Sequence, residues 1–126
     1  MNKGKLYTSY FAKLNKGIGV KISIARYNPK WLKKGDINFW FQSLSPSKEL
    51  LYDYKYNNLL WEDYEKRYRD EVGGHVLHGD MRALLNLLNS GRDVTVYCYE
   101  KSTDNCHRHI LGDIIRGLGY KVKEIE

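Results

Sequence analysis

The chain has little cysteine and little proline, two of each in 126 residues. Two cysteines cannot build the several cross-links of a small secreted scaffold, and no export signal accompanies them. A disulfide framework is therefore not expected, and a reducing cytosol is the expected setting. Long apolar runs are also missing: none approaches the roughly 18 residues of a membrane span. The opening Met1-Asn-Lys-Gly-Lys5 leads straight into a short strand-like run, without the apolar stretch of a secretory signal. These absences predict a cytoplasmic protein with no membrane partner. Acidic residues are absent from the first 35 positions, which hold nine Lys or Arg. The rest of the chain is slightly acidic, so the whole net charge of +6 comes from this first quarter. Such asymmetry marks either a surface for phosphates, nucleic acid or an acidic partner, or a solvated basic face that maintains solubility. Repeats, low-complexity tracts and linkers are lacking too, which predicts a single domain over residues 1–126.

What is present is apolar and aromatic. Hydrophobic residues make up 42 %, enough for one core and too much for a disordered chain. Eleven Tyr, three Trp and three Phe supply large rings, and the tyrosines can line a cleft while keeping a polar tip wet.

Lys5–Tyr10 reads as a first strand, Phe11–Lys16 as a short turn or helix closed by Gly17, and Gly19–Ala25 as a second, β-branched strand. Residues 31–46 read as irregular and aromatic. Ser47 is placed to cap a helix from Lys48. Asn58 is a candidate cap for the next helix, whose one face carries Trp61, Tyr64, Tyr68 and Val72 and whose surface offers the pairs Glu62–Lys66, Asp63–Arg67 and Glu65–Arg69. Asp80 is expected to cap a leucine-rich helix that runs through Asn89 and is stopped by Gly91. Asp93–Tyr99 is nearly continuous in apolar and β-branched residues, which suits a strand buried on both faces. Asp104 or Asn105 would cap a last helix with an Ile110, Leu111, Ile114, Ile115, Leu118 stripe, and Tyr120–Ile125 is a final strand. Strand, crossover helix and parallel strand predict an α/β fold: a single open, mostly parallel sheet of about four or five strands with helices on both faces.

In such sheets ligands sit beyond the carboxyl ends of the strands. The strand Asp93–Tyr99 delivers Cys98, Tyr99 and Glu100 to that edge. A polar loop beginning at Lys101 follows, and Cys106, His107 and Arg108 then open a helix, where unpaired N–H groups and the helix dipole favour an anion. Three readings stay open. Cys106 is a nucleophile or ligand-contacting thiol beside an anion-gripping Arg108. Alternatively, Cys98, Cys106, His107 and His109 bind zinc, although the spacing fits no common finger and adjacent ligands at a helix start strain a tetrahedral site. In the third, Cys98 is a small buried hydrophobe, and Cys106 and His107 only hydrogen-bond the loop. The reading carried forward has Cys106, His107 and Glu100 as catalytic groups. Arg108, Arg26, Tyr10, Cys98, Tyr99 and Lys101 are its ligand contacts, with no metal and no cofactor. His75 and His78 are either cleft bases or surface linker residues.

The run Val94-Thr-Val-Tyr-Cys-Tyr-Glu-Lys101 followed by Cys106-His-Arg-His109 resembles the signature of the family catalogued as Domain of Unknown Function 488, DUF488. Leu6–Phe11, Val20–Ala25 with Pro29, Leu44-Ser-Pro46 and the Tyr64/Tyr68 helix resemble its shorter members. The resemblance implies an α/β domain and a bacterial, archaeal or phage setting, without implying a reaction. Many members carry an Asp and an Arg at the end of the second strand. Here Arg26 matches, and the acidic position does not.

Three functions are compatible with these residues. One is an enzyme acting on a nucleotide or other phosphorylated molecule, with Glu100 as acid or base and Arg26 and Arg108 holding the anion. No Cys-x5-Arg, Gly-x-Ser-x-Gly or phosphate-loop pattern names its reaction. Another is a non-catalytic nucleic-acid-binding module using the basic first quarter with Tyr7, Tyr10, Phe11, Tyr27 and Trp31. The last is a factor that binds another protein. The expected partner is thus an anionic small molecule or nucleic acid.

Overall fold

A computed structural model of the chain describes residues 2–73, 79–99 and 105–126. Five strands, β1 (Leu6–Tyr10), β2 (Val20–Ser23), β3 (Phe39–Trp40), β4 (Val94–Cys98) and β5 (Val122–Glu124), form one sheet in the order β3-β2-β4-β1-β5. Every pairing is parallel. The expected open, parallel α/β sheet is therefore present. Its fifth member is the two-residue edge strand β3, within the stretch that reads as irregular.

Burial explains which segments became strands. All five residues of β4 are buried, as its unbroken apolar run requires of a strand with neighbours on both sides. Its neighbour β2 enters through Gly19, whose backbone has a φ of +70° and whose missing Cβ would lie 2.0 Å from the carbonyl oxygen of Asp93. Only glycine fits there without strain.

Among the described residues four α-helices follow or interrupt the strands: α1 (Lys48–Tyr56), α2 (Trp61–Gly73), α3 (Gly79–Asn89) and α4 (His107–Gly117). They share one core with the sheet face that carries Leu6, Ile22, Ile24, Val94 and Val96. Side chains of opposite parity, Tyr97 and Ala25, pack on the other face with Phe11, Leu14 and Leu32. Helical segments thus lie on both faces of the sheet, as expected. The four α-helices share one face, and 3-10 turns over Phe11–Lys16 together with the segment around Leu32 cover the other.

Helix starts follow local hydrogen bonding. Ser47 caps α1 as expected, its Oγ accepting from the Leu50 N–H at 3.1 Å. Asn58 does not cap α2: it sits at φ 56°, and the helix opens at Trp61 with the Leu60 carbonyl accepting from Asp63 and Tyr64. Asp80 lies inside the first turn of α3 and accepts from both the N–H and the Oγ of Ser43. The residue at the N-terminus of α4 is Cys106, in extended conformation, rather than Asn105; Asp104 lies outside the described residues. Of the helix-surface pairs, Glu65–Arg69 forms at 3.0 Å, whereas Arg67 reaches back to Asp53 on α1 at 2.7 Å. No helix among the described residues is long and apolar enough to cross a membrane.

Candidate functional site

The carboxyl ends of the middle strands meet the start of α4. Tyr10, last in β1, is in register with Cys98, last in β4. The chain leaves β4 at Cys98 and returns eight residues later to begin α4 above the same strand end. That return joins Cys98 to Cys106, with sulfurs 2.08 Å and Cα atoms 7.4 Å apart. The two cysteines, for which no disulfide framework is expected, are thus joined to each other; their spacing along the chain does not reveal that the end of β4 and the start of α4 lie side by side. In this form Cys106 carries no thiol, so a nucleophilic role belongs to the reduced protein.

Arg108 is fully buried. Its guanidinium turns into the sheet: Nε and Nη2 donate to the two Glu124 oxygens at 3.1 and 2.9 Å, and Nη1 donates to Cys98 Sγ at 2.9 Å. Thr8 Oγ1 adds a 2.5 Å hydrogen bond to Glu124, and the Tyr10 ring lies 5.6 Å from the guanidinium carbon. Cys98, Tyr10 and Arg108, expected as ligand contacts, therefore form one structural cluster around Glu124, a residue the sequence reading did not single out.

His107 is also buried, and its Nε2 lies 2.6 Å from the Ile24 carbonyl oxygen. Nε2–H therefore donates, and Nδ1 keeps its lone pair, 3.7 Å from Cys106 Sγ. Burial drives its pKa down to about 4; Arg108 and His109 push the same way, and the Ile24 carbonyl opposes them. Burial and Arg108 likewise lower the pKa of His109, whose Nδ1 sits 4.0 Å from Glu124.

Beside this cluster lies a cavity of about 520 Å³ between the end of β2, α1, α2 and the start of α4. Its rings are Tyr27, Tyr54, Trp61, Tyr64 and Tyr99, its cations Arg26 and Lys55, and Asn105, Cys106 and His107 close the α4 side. The i, i+3, i+4 pattern of α2 stacks Trp61 on Tyr64 at 4.8 Å and 15°, sets Tyr64 parallel to Tyr68, and brings Tyr68 edge-on to His107 at 5.6 Å. Tyr54 of α1 tilts against Tyr64 at 4.9 Å. The β2 end is braced from β3 and its sequel: Trp40 Nε1 donates to the Ala25 carbonyl and Gln42 Nε2 to that of Arg26, both at 2.8 Å. Arg26 Nε is buried and has no hydrogen-bond partner among the described residues.

The fold thus brings Arg26, Tyr99, Cys106 and His107 to one cavity and draws Tyr10, Cys98 and Arg108 into the neighbouring cluster. Glu100, Lys101, His75 and His78 lie outside the described residues. Sequence reasoning missed Lys55, Tyr54 and Trp61 as cavity residues. The aromatic stripe of α2 is legible in the sequence as one helix face, with no signal there that places it on a cavity.

A family model described as the active DUF488-N3 subclade, DUF488-N3a, matches residues 7–119. The chain belongs to the DUF488 family. The match runs from β1 past the end of α4 and so includes Cys98, Arg108 and the cavity, though not Glu124. Comparison with the curated proteins and with the solved structures gives no match for this DUF488 chain.

Proposed function

We propose that this DUF488 chain binds an aromatic anion of the nucleotide class in the cavity beside α4 and acts on it there. The observation that carries the reading is the lining itself: stacking rings, with Trp61 foremost, around two cations, one of them carrying a buried donor that no described residue satisfies. A base stacks on rings whatever its identity. A phosphate suits Arg26, whose fork can bind it in two-point fashion, and Lys55 adds a point charge. The volume lies within the range of small-molecule sites. The matching subclade is described as active, which favours chemistry over binding alone.

The test is the melting temperature of chelator-treated protein across nucleotides, nucleosides and sugar phosphates, with Arg26→Ala and Trp61→Ala alongside. Nucleotides are expected to stabilise more than nucleosides or sugar phosphates, and each substitution should remove most of the shift. The reading fails when no such compound raises the melting temperature, or when the shift survives both substitutions.

A second reading rests on the basic first quarter, where Tyr27 and Trp31 are more than half exposed near Lys30, Lys33 and Lys34. Stacking rings among lysines suit a single nucleic-acid strand. Salt-sensitive retention of an oligonucleotide, lost on Trp31→Ala, is the outcome expected of it.

A further inference from the structure

We infer that Cys98, Cys106 and His107, in the reduced protein, form a three-ligand site for a divalent cation of the zinc class at the α4 side of the cavity. The ligand atoms of these three buried residues lie within 4.8 Å of one another. Two thiolates and an imidazole suit zinc or cobalt better than they suit magnesium or calcium.

The backbone makes room for an ion. The Cα atoms of Cys98 and Cys106 are 7.4 Å apart, beyond the roughly 4.4–6.8 Å usual for directly joined cysteines. The adjacency of Cys106 and His107 is no obstacle. Cys106 precedes the helix in extended conformation, with φ −150° and ψ 146°, and so is not bound to the helical spacing of His107. Their ligand atoms, Sγ and Nδ1, stand 3.7 Å apart. A tetrahedral ion with Zn–S of about 2.3 Å and Zn–N of about 2.0–2.1 Å needs about 3.6 Å along that edge.

The surroundings are those of a metal site. Donation from His107 Nε2–H to the Ile24 carbonyl fixes the ring with Nδ1 facing inward, as outer-shell partners of ligating histidines do. Arg108 Nη1 donates to Cys98 Sγ at 2.9 Å; a buried guanidinium stabilises a thiolate far more than a disulfide sulfur. Charge balances as well. Two thiolates neutralise a dipositive ion, and Glu124 neutralises Arg108. Each thiol releases its proton as the ion binds. Three protein ligands leave a fourth position for water or a ligand atom, and Cys106 and His107 both line the cavity. The bound ion would thus serve as a Lewis acid beside whatever the cavity holds.

Binding requires the dithiol. A phosphine with water supplies it, the phosphine becoming its oxide and the disulfide taking two electrons and two protons. The experiment titrates reduced, metal-stripped protein with Co²⁺ under argon and reads thiolate-to-cobalt absorption and the tetrahedral ligand-field bands. One equivalent should saturate both, Zn²⁺ should bleach them, and oxidised protein should give neither. Cys106→Ser and Cys98→Ser should each weaken binding about tenfold or more. A reduced, folded wild type without these bands overturns the site, and so do bands that neither substitution alters. The comparison of reduced with oxidised wild type needs no variant. Because the nucleotide test uses chelated protein, either inference can fail while the other stands.

Discussion

Arg108 and Glu124 form a two-point ion pair beneath the carboxyl ends of β1 and β4, with the guanidinium wholly buried and the carboxylate about four-fifths buried. The pair ties the first turn of α4 to the edge strand β5. A helix-start arginine that reads as an anion grip therefore acts on the fold itself, and on Cys98 through its remaining fork.

Breaking this pair from one side should cost far more than removing it. Arg108→Met leaves Glu124 without its main cation, and about 3 kcal/mol of stability should be lost in urea unfolding. Arg108→Met with Glu124→Gln should recover part of that loss. Equal destabilisation in the single and double variants would mean that packing of the arginine stem, rather than charge, holds the turn.

In the cavity, rings and cations should separate by salt. Trp61→Ala should weaken nucleotide binding by about 1–3 kcal/mol at any ionic strength, because stacking is not screened. The loss from Lys55→Ala should be smaller and should shrink in high salt, since Lys55 is exposed and its contribution is Coulombic. Isothermal titration at two salt concentrations distinguishes them.

His107 makes the metal-free protein sensitive to acid. Its folded pKa of about 4 lies below the ordinary 6.5. Between those values the unfolded chain binds the extra proton, so stability falls as pH drops from about 7 to about 4, by about 3 kcal/mol in total, and no further below. Urea midpoints measured across this range should follow that slope, and His107→Gln, which retains a donor for Ile24, should flatten it. An unchanged slope in the folded variant would assign the acid sensitivity to other groups.

Ser47 joins α1 to α2. Its Oγ accepts from Leu50 N–H and donates to Glu71 Oε2, while its own N–H donates to Glu71 Oε1. Ser47→Ala should therefore cost about 1–2 kcal/mol, at the upper end for a lost cap. Ser47→Thr should retain most of the stability.

Local signals settled much of this chain from its residues alone. β-branched and apolar runs placed β1, β2 and β4, because a strand's demands are met by its own side-chain pattern. Ser47 announced α1, because a cap bonds within three residues. The Cys98-to-His109 segment was recognisable as the meeting of a strand end and a helix start. Tertiary structure decided the rest. The partner of Arg108 lies 16 positions away on an edge strand, and the cations of the cavity, Arg26 and Lys55, come from segments whose approach no periodicity encodes. Trp61 and Tyr64 have one helical spacing whether they fill a core or line a cavity; only the placement of α1 and α2 over the end of β2 distinguishes the two. Cys98, Cys106 and His107 meet because the end of β4 and the start of α4 lie side by side, which is a property of the folded structure and of no residue in it.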